Sequence, residues 1–146
     1  MDTSSKKILL IAQHLSTGGM PQYLYVQAKK LVEETNHEVY VLEWSDIAPI
    51  YDVQKNRIKE LLPKNFTTLE GTDEEKKKKF FHIIGKLKPD IIHLQEHPEM
   101  WMPDIVADEF YNSLREYKII ETSHDSGFAE EVNERKKYLP DAFAFI

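Results

Sequence analysis

Short apolar runs alternate along this chain with longer stretches in which apolar residues recur every three or four positions. Ile8-Leu-Leu-Ile-Ala12, bounded by Lys7 and Gln13, is a continuous apolar run and predicts a strand buried on both faces. A loop from His14 to Gly19 follows, and Pro21 sits where a helix can begin without needing its amide. Leu24, Val26, Ala28, Leu31 and Val32 then form a helical stripe to about Glu34, and Glu38 to Leu42 reads as a second strand. Between Glu43 and Lys64 the pattern is less regular, with Pro49 and Pro63 as punctuation and a short helix expected near residues 53–62. Phe66 to Leu69 predicts a third, shorter strand closed by Gly71. Thr72 or Asp73 can cap a helix running to about Leu87, with Phe80, Phe81, Ile84 and Leu87 on one face. Pro89 to Leu94 predicts a fourth strand, Trp101 to Tyr117 a helix, and Lys118 to Thr122 a fifth strand. A short helix around residues 130–138 leads to Ala142–Ile146, a sixth apolar strand.

This alternation predicts an α/β fold: a Rossmann-like, doubly wound parallel sheet in three layers, with about six strands in the order 3-2-1-4-5-6. The chain stops inside its sixth strand, with nothing to cover that edge, and so reads as one domain of a longer protein. Composition narrows the partners. The net charge of −6, from 25 acidic and 19 basic residues, would repel a phosphate backbone and argues against nucleic acid. The absence of cysteine excludes disulfides, thiolate metal sites and cysteine nucleophiles. The apolar run after Lys7 is too short for a signal segment or a membrane span, so a cytoplasmic location is expected.

In an open parallel sheet, ligands bind outside the carboxyl ends of the strands, where the strand order reverses. The first strand ends in Gln13, His14, Ser16, Thr17, Gly18 and Gly19; the fourth in Gln95, Glu96 and His97; the fifth in Ser123, His124 and Asp125. Their amino ends are Lys7, Pro89-Asp90 and Lys118, which are plain solubilising residues. Three polar, histidine-bearing loops would therefore line one crevice. Gly18-Gly19 can bring backbone amides to an anion at a helix N-terminus; a tight strand-to-helix turn is the plainer explanation, and no complete phosphate-loop motif is present. Pro21 removes one amide from such a cradle. His124 can donate to a sugar hydroxyl, a backbone carbonyl or a developing phosphate charge, or simply tie down its loop. His93-Leu-Gln-Glu-His97 has the H-x-x-E-H spacing of a zinc site, but that spacing chelates only on a helix. Here it falls on a strand and runs into Pro98, so no metal is expected. His93 is then a core histidine, with Glu96 and His97 at the crevice mouth. Lys76 to Lys79 could lie on an anionic membrane, but Asp73, Glu74 and Glu75 just before them favour a solvated helix face. Trp101 begins a stripe expected to pack on the sheet.

At these loops the sequence resembles the N-terminal domains of GT-B fold glycosyltransferases, the retaining nucleotide-sugar enzymes of the family 4 type. The likeness rests on Lys6 to Ala12, Gly18-Gly19, His37-Glu-Val-Tyr-Val41, Lys88-Pro-Asp-Ile-Ile-His93, Thr122-Ser-His-Asp125 and Asp141 to Ile146, in that order. The resemblance implies that His124 touches the transferred sugar as the catalytic position. It also implies that Gly18 and Gly19 approach the donor phosphates or the acceptor, and that Gln95, Glu96, His97 and Asp125 complete the substrate side. The nucleotide sugar would be a substrate, with no cofactor, and the acceptor a carbohydrate, lipid or protein. A C-terminal domain would hold most of the donor. Met20-Pro21 and residues 44–65 depart from the family pattern. Two other classes compete. One is a stand-alone flavodoxin-like or Rossmann-like binding or signalling module, although Asp and Glu are absent between Lys6 and Gly19, where a phospho-acceptor receiver needs them. The other is a metallohydrolase using His93, His97 and His124.

Overall fold

The computed structural model describes residues 4–16, 18–47, 52–124 and 136–145. Strands β1 (Lys7–Ala12), β2 (Glu38–Glu43), β3 (Phe66–Thr68), β4 (Ile91–Gln95), β5 (Lys118–Ser123) and β6 (Ala142–Phe145) alternate with helices α1 (Gly19–Glu34), α2 (Val53–Leu61), α3 (Asp73–Leu87) and α4 (Asp104–Phe110). All strand pairs are parallel, in the order β3-β2-β1-β4-β5-β6. The fold is therefore a Rossmann-like α/β sheet with the order expected from the alternation.

The doubly wound character follows from how each strand divides its side chains. On β1, Ile8, Leu10 and Ala12 pack with Leu24 and Ala28 of α1 and Ile58 of α2. Leu9 and Ile11 point the other way, into a core with Phe80 and Ile84 of α3 and Val106, Ala107 and Phe110 of α4. A two-residue period thus feeds two hydrophobic layers, and β1 needs its unbroken apolar run because both faces are covered. His37, which opens the His37-Glu-Val pattern, accepts the Lys6 amide at Nδ1 (3.0 Å) and ties the entry of β2 to that of β1.

The predicted helix from Trp101 to Tyr117 is corrected by the structure. A 3-10 turn at Pro98–Met100 comes first, α4 occupies only Asp104–Phe110, and turns follow. Pro103 has no amide to continue a helix across it, so it stands at the N-cap instead. Beyond Phe110 the stripe fails: Leu114 is 89% exposed, and its amide goes to the Asn112 side chain (2.9 Å). Of the helix expected around residues 130–138, residues 130–135 lie outside the described residues, and 136–138 are not helical. Among the described residues, no helix is long and apolar enough to cross a membrane.

Candidate functional site

The switch in strand order falls between β1 and β4, so the crevice lies at their carboxyl ends beside β5. Helix α1 starts there, and its start differs from that of α3. Thr72 caps α3 in a full capping box: its hydroxyl accepts the Glu75 amide (3.2 Å), and the Glu75 carboxylate accepts the Thr72 amide (3.0 Å). Three acidic residues, Asp73, Glu74 and Glu75, fill its first turn. Helix α1 has no side-chain cap and no acidic residue in its first turn. Its N-cap, Gly18, sits at φ 133°, ψ 178°, a conformation essentially reserved for glycine. Gly19 is different, since a Cβ built there would meet nothing within 4 Å. Among the described residues, the first turn of α1 therefore carries neither a capping side chain nor an acidic residue of its own, and Gly19 adds no bulk over it. Pro21 is buried in this same turn, where a missing amide breaks no helical bond.

One turn into α1, two residues reach across to the strands. The Tyr23 ring meets His124 edge-on, with centroids 4.9 Å apart. Four residues on, Gln27 joins a run of hydrogen bonds along the sheet face: His124 Nε2 to Gln95 Oε1 (2.7 Å), Gln95 Nε2 to Gln27 Oε1 (3.1 Å), Gln27 Nε2 to His93 Nδ1 (2.9 Å), and His93 Nε2 to Thr122 Oγ1 (2.5 Å). His93, Gln95 and Thr122 share this face because β4 and β5 are paired His93 to Ile120 and Gln95 to Thr122. Burial pushes His93 down to about 4, helped by the neighbouring His124, and lowers His124 against the pull of Glu96. Both rings are thus neutral near pH 7 and act as hydrogen-bonding groups. Glu96, which follows β4, holds φ 67°, and its amide donates to Thr122 O (2.9 Å). A non-glycine residue in the left-handed region at a strand end is a costly local shape of the kind found at functional sites.

The opposite face of β5 carries charge. Glu121 is fully buried, and its carboxylate accepts from Lys136 Nζ (2.6 Å) and Tyr111 Oη (3.1 Å), with His97 Nδ1 at 3.3 Å. Lys136 also reaches Glu99 (2.9 Å). Burial raises the Glu121 carboxyl, while Lys136 and His97 hold it back. A second buried carboxylate, Glu43 at the end of β2, accepts the Leu15 amide (2.6 Å), the Thr68 hydroxyl (3.0 Å) and Lys55 Nζ (2.9 Å). It shapes the loop that leads into α1. In that loop Ser16 Oγ and His14 Nδ1 are 2.7 Å apart, and burial lowers His14.

The expected residues divide accordingly. Gly18, Gly19, His124 and Glu96 stand at the carboxyl edge, with Gly18, Gly19 and Glu96 at least partly exposed and His124 half-buried. Gln95 is fully buried and contacts His124 rather than open space. His97 does not sit at the crevice mouth: it is buried against Glu121, on the face opposite His93. The alternation of β4 and the turn at Glu96 separate the two histidines, so the H-x-x-E-H spacing brings no pair together. Asp125 lies outside the described residues. Tyr23, Gln27, Glu43 and Glu121 escaped the sequence reading. Glu43 and Glu121 carried one usable signal, each being a carboxylate that directly follows an apolar stretch inside a strand.

No family model matches the chain, and no match to it is found among curated proteins. The site must be judged on its own geometry. A groove of about 460 Å³ opens elsewhere, between α3 and the β1–β2–β3 side, with Lys7, Tyr40, Lys64, His82 and Lys86 on its walls. It lies away from the switch point and gathers neither the uncapped helix nor the linked histidines, so the carboxyl edge is the stronger candidate. Of the lysines on α3, Lys76 bonds Ser45 Oγ (2.5 Å), Lys77 pairs with Glu109 (3.5 Å) and Lys79 bonds Glu70 O (3.2 Å). At 100° per residue, four consecutive side chains fan around a helix rather than forming one face.

Proposed function

We propose that this domain is the acceptor-side half of a nucleotide-sugar glycosyltransferase, supplying one wall of a cleft whose other wall binds most of the donor nucleotide. The observation that carries the reading is the meeting, at the switch point, of an uncapped helix N-terminus with a neutral, partly exposed histidine held by Gln95 and Tyr23. The first suits a diphosphate and the second a sugar hydroxyl, and a nucleotide sugar carries both. In transfer, the bond from the anomeric carbon to the diphosphate breaks as one to an acceptor oxygen forms. The amides at Gly18 and Gly19 lie where they can stabilise charge gathering on the phosphate, and His124 orients the sugar. This chemistry asks for orientation and electrostatics rather than a strong base, which agrees with imidazoles kept neutral by burial.

The reading is tested by adding uridine- and guanosine-diphosphate sugars to the isotope-labelled chain. Shifts of the Gly18, Gly19 and His124 signals are expected, weakened by His124→Ala, and without turnover while the chain is alone. Shifts confined to other surfaces, or robust transfer by the isolated chain, would overturn it.

A further inference from the structure

We infer that Gln95, Gln27, His93 and Thr122 form a tautomer lock that keeps the His124 proton on Nε2 and presents Nδ1 as a hydrogen-bond acceptor for a ligand hydroxyl. The argument is one of donor and acceptor matching. A carboxamide has one donating and one accepting end, and a neutral imidazole has one of each. Four such groups in series can be satisfied in only two ways, with every proton pointing toward Thr122 or every proton pointing toward His124. Mixed arrangements set two N–H groups, or two lone pairs, against each other. His93, Gln95 and Thr122 are 8%, 0% and 0% exposed, so water is not at hand to repair such a mismatch.

The structure takes the first arrangement: His124 donates to Gln95, Gln95 to Gln27, Gln27 to His93 and His93 to Thr122. The proton on His124 is thereby coupled to groups that its ring does not touch. Gln27 is a positioning residue, acting on the ligand contact through Gln95. The ligand group that fits is a hydroxyl donating to Nδ1, a chemistry that polyols supply and a fully ionised phosphate ester, which has only acceptors, does not. That last step rests on His124 being a ligand contact in the proposed function; the lock itself does not.

Long-range proton–nitrogen correlation spectra of the histidine rings in the unliganded chain separate the two claims. The proton is expected on Nε2 in both His93 and His124. Gln27→Glu replaces the donor facing His93 with an acceptor, so His93 should move its proton to Nδ1 while His124 keeps Nε2. Gln27→Leu removes the acceptor that orients Gln95, so His124 should become a mixture of tautomers. A mixture of about one to one would weaken binding through Nδ1 about twofold. A wild-type His124 proton on Nδ1 would overturn the lock, as would a His93 signal that ignores Gln27→Glu. If the tautomers behave as stated but no nucleotide sugar moves the His124 signal, the lock stands and the glycosyltransferase reading falls.

Discussion

Glu121 and Thr122 are consecutive, both fully buried, and serve opposite faces of β5 in opposite ways. Glu121 gathers charge in Lys136 and, through it, Glu99, with the His97 ring beside its carboxylate. Thr122 ends a chain of neutral groups that runs through His93, Gln27 and Gln95 to His124. The charged cluster ties segments distant in sequence to the sheet, and each member is matched inside the protein. The neutral chain ends on a partly exposed ring, and so orders a group that can still meet a ligand. Buried polarity at a strand edge is therefore no single signal: one network anchors the chain and the other aims a side chain.

Lys136→Met attacks the anchoring side and should have the largest effect. Removing one partner of a buried ion pair costs about 3–5 kcal/mol, because the remaining charge is left uncompensated. Glu121 is already raised by burial and would lose the cation that holds it down. The defect should then deepen as pH rises through its carboxyl titration, which denaturant melts at several pH values would show; a pH-independent loss would contradict the assignment.

On the neutral side, the unfolded chain takes up a proton on His93 near 6.5, the folded chain only near about 4. Between these values the unfolded state binds more protons, so stability falls as pH drops through that window. The contribution at stake is about 3 kcal/mol. His93→Gln should flatten this part of the stability–pH curve. Gly18→Ala should cost about 1–3 kcal/mol, because its backbone conformation is strained for any other residue. Gly19→Ala should change stability least, by under about 1 kcal/mol and in the stabilising direction, since a methyl group meets open space at a helical position. If Gly19 faces a ligand, the same substitution should nonetheless weaken nucleotide-sugar binding. Unchanged binding by a variant that is no less stable would remove Gly19 from the site.

Much of the architecture was legible in the chain. The apolar run at Ile8–Ala12 announced a strand covered on both sides, and of the two cap candidates, Thr72 and Asp73, the structure uses Thr72, in a capping box with Glu75. The carboxyl-end placement of Gly18, Gly19, Glu96 and His124 was legible too, because strand direction alone decides it. The helix expected across Pro103 was not found, since an apolar count does not weigh a missing amide against a stripe that ends at Phe110.

By itself, then, the sequence determined the order of elements and which loops share a rim, because both follow from periodicity and chain direction. Tertiary structure alone decided that Tyr23 and Gln27 reach His124 and the groups that hold it. It also decided that His97 turns inward to Glu121 and that Gln95 is sealed beneath His124. Those outcomes depend on the register of β4 against β5 and on which face α1 covers. Both are set by packing between segments distant in sequence, the first pairing Gln95 with Thr122 and the second Gln27 with Gln95, and no local pattern encodes it.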